Sequence, residues 1–301
     1  LELCQRVTVF RDGQSVAELD GAGLTRTGLV EAIVGRTVET AKAPLSAPPR
    51  GKVVLAVRGF ARPPKVRGVS FDLHRGEVLG LGGLVGAGRS ELARLLFGAD
   101  RPDRGRATLD GQPFAPRDCA AAVKAGLGFV PEERRSEGLV LSKSVAFNLS
   151  LANLQKLLLV GRLPLISTRK RAQMAAKIVR DLAIRTADVD APVGRLSGGN
   201  QQKVVIGRWL QAAPKALILD EPTRGVDVGA RAEIHRLVRE LASRGMAVLV
   251  VSSEPEELPD LCDRVLVMAE GRIVAELIGE SLTRERIIAA SYAEAPQQTA
   301  A

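Results

Sequence analysis

The chain has 301 residues, of which 46% are hydrophobic and 26% charged, and its formal net charge is +9. This composition supports a sizeable core and excludes global disorder. No apolar run approaches the roughly 20 residues that cross a bilayer, and no secretory signal opens the sequence, so we expect neither a secreted nor a membrane-spanning protein.

Three scattered cysteines and two histidines argue against a disulfide framework or a zinc site and are typical of a reducing cytosol. The basic charge leaves two kinds of partner open. Aromatic residues make up only 3% and the basic residues are dispersed, which disfavours nucleic acid. An anionic membrane surface suits the charge about as well.

The opening of the chain repeats its end. Residues 4–19 (CQRVTVFRDGQSVAEL) match residues 262–277 (CDRVLVMAEGRIVAEL) at nine of sixteen positions without a gap. Each copy predicts two strands around a turn, at Asp12-Gly13 and Glu270-Gly271. A chance match of two hairpins is the alternative. We expect residues 1–38 to be the C-terminal remnant of a first domain and 39–51, rich in Pro and Ala, to be a linker. A complete second copy would span 52–291, and 292–301 would form a disordered tail.

Strands and helices alternate along the complete copy. The pattern predicts strands at 53–57, 69–73, 77–82, 126–130, 216–219 and 246–251, and helices at 90–97, 144–157, 168–185 and 229–242. The continuous apolar runs at 216–219 and 246–251 are typical of parallel strands covered on both faces. The alternation therefore predicts an α/β fold with a parallel sheet, and an inserted, mostly helical subdomain at about 135–195.

A glycine-rich run, GLVGAGRS at 83–90, follows a predicted strand and opens a predicted helix. Its glycines let successive N–H groups wrap a phosphate at the positive end of the helix. Ser90 is placed to bind Mg²⁺. An ordinary tight turn is the alternative for this run taken alone. We expect cofactor contacts from Gly83, Gly86, Ala87, Gly88, Arg89, Ser90 and Glu91.

Two residues differ from those of a usual phosphate-binding loop and are expected to weaken its nucleotide binding. Arg89 stands where such loops carry lysine, and a planar guanidinium does not replace a compact ammonium. Glu91 adds negative charge near the expected α-phosphate. We therefore expect weak nucleotide binding or slow hydrolysis at this loop.

Two adjacent carboxylates, Asp220 and Glu221, end the apolar run 216–219. Asp220 would hold Mg²⁺ through water, and Glu221 would polarise an attacking water. A solvated strand end is the alternative. The position about 130 residues after the phosphate loop favours the functional interpretation.

The run LSGGNQQKV at 196–204 precedes another predicted helix. Ser197 can cap that helix, and the two glycines expose N–H groups at its positive end, so the run predicts a second anion site. One chain cannot easily use two anion sites on one nucleotide if they face apart, whereas two copies arranged head to tail could. Its expected ligand-binding residues are Ser197, Gly198, Gly199, Asn200 and Gln201.

The order of phosphate loop, LSGGNQQKV and LILDEPTRGVDVGA resembles that of ABC-type ATPases, and the likeness covers residues 52–290. The wording GLVGAGRSEL, VPEERRSEGL and VSSE resembles the second half of tandem ATPases of monosaccharide importers. The resemblance implies a P-loop NTPase core with a parallel sheet, an antiparallel β subdomain and an inserted helical subdomain. It also implies ATP and Mg²⁺ as cofactors.

Residue roles follow from the resemblance alone. Residues 83–90 correspond to the Walker A loop, 197–201 to the signature motif, and Asp220 and Glu221 to the Walker B aspartate and the catalytic glutamate. The resemblance also implies catalytic roles, beside that of Glu221, for Asp227 in the D-loop and for Ser253 at the switch-histidine position. It places Glu132 at the Q-loop glutamine that senses Mg²⁺. Ser90, Glu132 and Asp220 would thus be the metal ligands. Phe60 is the candidate for stacking on adenine.

ABC domains are expected to clasp ATP between the Walker A loop of one copy and the signature of the other. This chain would then supply its signature in trans, while its own altered loop binds ATP with slow turnover. The implied partners are transmembrane permease subunits, received near residues 132–139, the first ABC domain of the same polypeptide and, indirectly, an external sugar-binding protein, without nucleic acid. The implied location is the cytoplasmic face of the bacterial inner membrane.

Three alternatives stay open. A soluble ABC ATPase of translation or DNA repair would show a basic linker, a long coiled coil or zinc-binding cysteine pairs. A nucleotide-binding regulatory module without turnover is favoured by Arg89 and Ser253. A nucleoside importer would have much the same ATPase.

Overall fold

A computed structural model describes residues 4–11, 14–21, 51–160 and 163–293, with single positions at 25, 28, 29 and 32. In these ranges the strands are β1 (Arg6–Arg11), β2 (Gln14–Asp20), β3 (Val53–Arg62), β4 (Val66–His74), β5 (Val78–Gly83), β6 (Arg104–Leu109), β7 (Gln112–Phe114), β8 (Leu127–Val130), β9 (Leu158–Val160), β10 (Leu163–Ile166), β11 (Ala216–Asp220), β12 (Ala247–Val251), β13 (Arg264–Ala269) and β14 (Arg272–Ile278). The α-helices are α1 (Arg89–Phe97), α2 (Cys119–Ala125), α3 (Val145–Ser150), α4 (Thr168–Asp181), α5 (Gly198–Leu210), α6 (Val228–Ser243), α7 (Glu257–Leu261) and α8 (Arg284–Ser291).

The main sheet has six strands in the order β14-β13-β5-β12-β11-β8. All its neighbours run parallel except the β13–β14 hairpin. Every residue of β5, β11 and β12 is buried, because helices cover both faces of the sheet. The predicted α/β fold and its central parallel strands are confirmed.

A second, antiparallel sheet has the order β4-β3-β6-β7. The pattern predicted parts of β3 and β4 but missed β6 and β7. The first half of β6 is Arg-Gly-Arg and fully exposed, so the strand shows no alternation of polar and apolar residues.

The inserted segment is only partly helical. The predicted single helix at 144–157 is wrong: α3 ends at Ser150 and continues as a 3-10 segment in which Asn153 is non-helical (φ −145°, ψ 35°). The β9–β10 hairpin that follows was not predicted either. Helix α4 confirms most of the helix predicted at 168–185.

The two predicted terminal hairpins have the same pairing. Val9 pairs with Ala17 in β1–β2, and Val267 pairs with Ala275 in β13–β14, an offset of 258 residues on both strands. The register shift also falls at equivalent positions, after Val9 and after Val267. The turn at Asp12-Gly13, the predicted linker except Gly51 and the tail beyond Ala293 lie outside the described residues.

Candidate nucleotide-binding site

The glycine-rich loop joins β5 to α1 and requires glycine at two points. A Cβ at Gly83 would lie 2.3 Å from the carbonyl oxygen of Met268, and one at Gly88 would lie 2.0 Å from that of Lys65. Gly86 faces open space but has φ +85°, which L side chains rarely adopt. Gly88 is the N-cap of α1 and provides no side-chain cap, so the first N–H groups of the helix are available to an anion.

Arg89 is turned into the protein. Its side chain is only 6% exposed. One guanidinium nitrogen donates to the carbonyl of Ser252, and the other lies 3.7 Å from Glu221 Oε1. Burial lowers the pKa of Arg89, although the carboxylates of Glu221 and Asp220 act in the opposite direction. The arginine is thus engaged with the acidic strand end and the loop after β12.

The end of β11 meets the start of α1. Ser90 Oγ donates to Asp220 Oδ1 at 3.1 Å, across 130 residues of sequence. Asp220 is 2% exposed, and its burial raises its pKa to about 7. A partly buried hydroxyl in contact with a buried carboxylate forms a hard-oxygen pair of the kind that Mg²⁺ prefers, and a divalent cation would balance the buried charge. The residues present therefore fit Mg²⁺.

Glu221 is held in an unusual backbone conformation, with φ +48°. Its Oε1 accepts the backbone N–H of Ser253 at 2.7 Å. Burial raises the pKa of Glu221, against hydrogen bonds from Ser253 and the charge of Arg89, and a carboxylate whose pKa is raised is a stronger base once it is ionised. Ser253 thus contacts Glu221 through its main chain.

A buried network that sequence reasoning missed lies behind this site. Glu257, with a fully buried carboxylate, accepts hydrogen bonds from Thr223 Oγ1 and Ser252 Oγ, both at 2.8 Å, and contacts His235 Nε2 at 2.8 Å. Burial alone would raise the pKa of Glu257, but these hydrogen bonds outweigh it and lower the pKa. The network connects the turn after Glu221 to the loop that carries Ser253. Its residues are far apart in the sequence, so no local motif predicts these contacts.

The signature run lies at the start of α5. Ser197 is the exposed N-cap residue, but its Oγ accepts from Asn200 Nδ2 at 2.9 Å and caps no backbone N–H, which corrects the predicted cap. Asn200 Oδ1 in turn accepts the N–H of Arg185 at 2.8 Å. Gln201 is buried and donates to the carbonyl of Leu196 at 3.1 Å. The run therefore leaves N–H groups at its N-terminus available, as the first loop does.

Three further predicted residues lie elsewhere. Glu132, expected as a metal ligand, forms an ion pair with Arg224 and is not bonded to Ser90 or Asp220. Asp227 is the N-cap of α6 and accepts the N–H of Ala230 at 2.9 Å. Phe60 is buried in the core at 4% exposure, so it does not offer its ring to adenine, contrary to the prediction.

The two predicted anion sites are not bonded to each other within the described part of the subunit. In the part of the chain that the structure describes, no hydrogen bond or ion pair joins residues 83–91 to residues 197–201. In the same part, no helix has the length and hydropathy to span a bilayer.

A parallel sheet, a glycine-rich loop before α1, a contact between Ser90 and Asp220 and an exposed helix start at Ser197 define a P-loop NTPase of the ATP-binding-cassette type. The profile of the ABC transporter family matches residues 66–224, and the chain belongs to that family.

Among curated relatives, the chain is 43% identical over 298 residues to the ribose import ATP-binding protein RbsA of Chelativorans sp. (strain BNC1), covering 99% of this chain and 58% of that protein. It is 46% identical over 291 residues to the arabinose import ATP-binding protein AraG 2 of Burkholderia cenocepacia (strain HI2424), covering 95% and 55%. The chain thus spans little more than half the length of these relatives.

Solved structures show the same fold. The ATP-binding cassette MJ1267 of an ABC transporter aligns with a TM-score of 0.63 at 26% identity, covering 78% of this chain and 94% of that one. The dimeric cassette MJ0796 bound to ADP and Pi aligns with a TM-score of 0.63 at 21% identity, covering 76% and 98%.

Proposed function

We propose that the chain is the second ATP-binding cassette of a tandem ATPase that drives monosaccharide import through a membrane permease. The observation that carries the nucleotide-binding part is the contact of Ser90 with Asp220 at the mouth of a glycine-rich loop. The curated relatives, described as ribose and arabinose import proteins, support the substrate class.

Different residues of the site would bind the phosphates, hold Mg²⁺ and activate water. The N–H groups of residues 86–90 would hold phosphate oxygens, and Ser90 and Asp220 would hold Mg²⁺, which neutralises phosphate charge when bound. Glu221 would accept a proton from water.

Arg89 is the reason to expect slow turnover at this chain's own loop. Its guanidinium contacts Glu221, the proposed base, and the carbonyl of Ser252. A cation beside a carboxylate favours the ionised form but also occupies the space where water would be polarised. Turnover would require Arg89 to leave both partners.

The signature run would instead serve the other copy. Ser197 is exposed, and its side chain does not cap the first N–H groups of α5. It is not bonded to the glycine-rich loop of the same subunit. The matched register of the two terminal hairpins supports a tandem repeat, in which β1–β2 ends the first cassette. This proposal assigns residues 1–38 to the C-terminal remnant of the first cassette, residues 39–51 to the linker, and residues 52–291 to the second cassette. Glu132, Asp227 and Ser253 then serve the Q-loop, D-loop and switch positions.

The proposed partners are the permease subunits, the first cassette and, through the permease, an external sugar-binding protein. The proposed location is the cytoplasmic face of the bacterial inner membrane. Residues 132–139 would face the permease.

The test is nucleotide turnover in the full-length protein that contains this chain. Ser197→Glu places a charge at the signature and is expected to abolish turnover, whereas Ser15→Glu, on an exposed strand, is expected to be neutral. Arg89→Lys is expected to raise turnover at this chain's loop, with Arg94→Lys on the same helix as the matched control. Equal loss from Ser197→Glu and Arg89→Ala would contradict the division of labour.

A regulatory cassette without turnover is the second candidate, and the contact between Arg89 and Glu221 favours it. Phosphate release by the 301-residue chain, alone and with the first cassette added, separates the two. Nucleotide binding without phosphate release under both conditions, unchanged by Arg89→Lys, would support the regulatory cassette.

A further inference from the structure

Two segments that follow neighbouring strands of the main sheet are joined by reciprocal contacts, since each segment contributes an arginine that binds oxygen atoms of the other. Arg224, which follows β11, forms ion pairs with Glu132 and Glu133, which follow β8. Arg224 Nη1 lies 3.6 Å from Glu133 Oε1 and is in direct contact with Glu132 Oε1. In return, Arg134 donates to the carbonyls of Arg224 at 2.5 Å and Gly225 at 2.8 Å. We call residues 132–134 and 224–225 the clasp.

Arg134 fits this place by shape as well as charge. Its forked guanidinium spans two successive carbonyls, which a single ammonium does not reproduce. Gly225 has φ +65°, so the turn that presents these carbonyls suits glycine. The Nε of Arg134 is buried without a hydrogen-bond partner in the described residues, a cost that the two bonds of the fork must offset.

The clasp also touches the signature run. A Cβ at Gly198 would lie 2.9 Å from Arg134 Nη2 and 3.0 Å from the carbonyl oxygen of Gly225. A side chain at position 198 would therefore crowd both the guanidinium of Arg134 and the carbonyl of Gly225. One residue on, a Cβ at Gly199 would lie 2.4 Å from Ala230 Cβ, so the first turns of α5 and α6 are in close contact.

Ser197 and Asp227 are therefore the N-cap residues of two helices whose first turns are in close contact. Asp227 caps α6 through the N–H of Ala230, next to Gly199, and both Ser197 and Asp227 are exposed. Arg134 lies against Gly198 and the carbonyl of Gly225, and it is not bonded to the glycine-rich loop or to Asp220.

We propose that Arg134 is a positioning residue that locks the D-loop, residues 224–227, against the signature run, so that Ser197 and Asp227 meet a second cassette as one unit. Glu132 and Glu133 complete the lock by holding Arg224, which gives Glu132 an orienting role in place of a metal ligand. The part that concerns a second cassette rests on the proposed function; the lock itself does not.

The first experiment is hydrogen exchange on the 301-residue chain. Arg134→Ala is expected to speed exchange at the amides of Val226 and Ala230 at least tenfold and to leave β11 and β12 unchanged. Arg134→Lys is expected to resemble Arg134→Ala although it keeps the positive charge, because lysine lacks the forked guanidinium that binds both carbonyls. Arg135→Ala, which removes the same charge from the exposed neighbour, is the matched control. Exchange within twofold of wild type in Arg134→Ala, or full protection in Arg134→Lys, would overturn the proposal.

A charge reversal tests the role of Glu132. Glu132→Arg alone is expected to speed exchange at Val226, and adding Arg224→Glu is expected to restore protection. If the double variant does not recover, and Glu132→Gln instead weakens Mg²⁺-dependent nucleotide binding by the chain, Glu132 is a metal ligand and the lock is wrong.

The third readout distinguishes positioning from mere stability. In the full-length protein, Arg134→Ala is expected to lower kcat for ATP at least tenfold, with KM and Tm close to wild type. A parallel loss of Tm and KM with kcat would show a purely structural role. Should wild-type full-length protein lack turnover altogether, the proposed function fails, while the exchange experiments still decide the lock.

Discussion

Replacing Asp220 with asparagine is expected to remove a pH dependence of stability that the buried carboxyl creates. Burial raises its pKa from 3.8 to about 7, so the native state binds a proton more tightly than the unfolded chain does. A folded-state pKa above the unfolded value makes this carboxyl destabilising as pH rises, and the loss grows until pH passes about 7. At about 1.4 kcal/mol per pKa unit, the full cost is about 4 kcal/mol, of which about 2 to 3 kcal/mol accrues between pH 5 and pH 8.

Urea unfolding of the nucleotide-free chain at several pH values measures this cost. The free energy of unfolding of Asp220→Asn minus that of wild type should rise by about 2 to 3 kcal/mol from pH 5 to pH 8. Comparing two pH values cancels the change in the hydrogen bond from Ser90. Asp103→Asn removes an exposed carboxylate and is the control. A difference that stays constant with pH would refute the reasoning.

Three further changes follow from the same structure. Gly88→Ala is expected to weaken ATP binding at least tenfold in a calorimetric titration, since its Cβ would collide with a carbonyl oxygen at 2.0 Å; unchanged affinity would contradict the loop geometry. Gly199→Ala is expected to lower the free energy of unfolding by about 1–3 kcal/mol, because its methyl would overlap that of Ala230, and a neutral effect in urea would count against the helix contact. Glu257→Gln is expected to cost about 1–3 kcal/mol through the weakened bond to His235. Since the pKa of Glu257 is lowered, that cost should be full above about pH 4.5 and fade as pH falls further; a cost that persists at lower pH would contradict it.

The sequence predicted what depends on local pattern. The apolar runs of β11 and β12 and the glycines of the loop are short-range signals with direct physical meanings. The clasp is different, because Arg134 and Gly225 are 91 residues apart and neither belongs to a spacing that indicates a contact. Glu257 likewise pairs with His235 across two helices. The exposed first half of β6 gave no alternation of polar and apolar residues. The break after α3 lies at Asn153, whose side chain donates to the carbonyl of Gln211, 58 residues away.

The two proposed anion sites of the chain differ in what must happen before a phosphate could enter. At the glycine-rich loop, the buried guanidinium of Arg89 would have to give up the Ser252 carbonyl and Glu221 before that carboxylate could face water. At the signature run, Ser197 is exposed and the surface around it is held by Arg134 and by the contact of α5 with α6. A rigid donor surface adds little entropic cost when it binds a ligand that another subunit already holds. A buried ion contact that must break opposes catalysis at its own site. Under the proposed function, the same polypeptide would therefore complete a partner's site more readily than it would use its own.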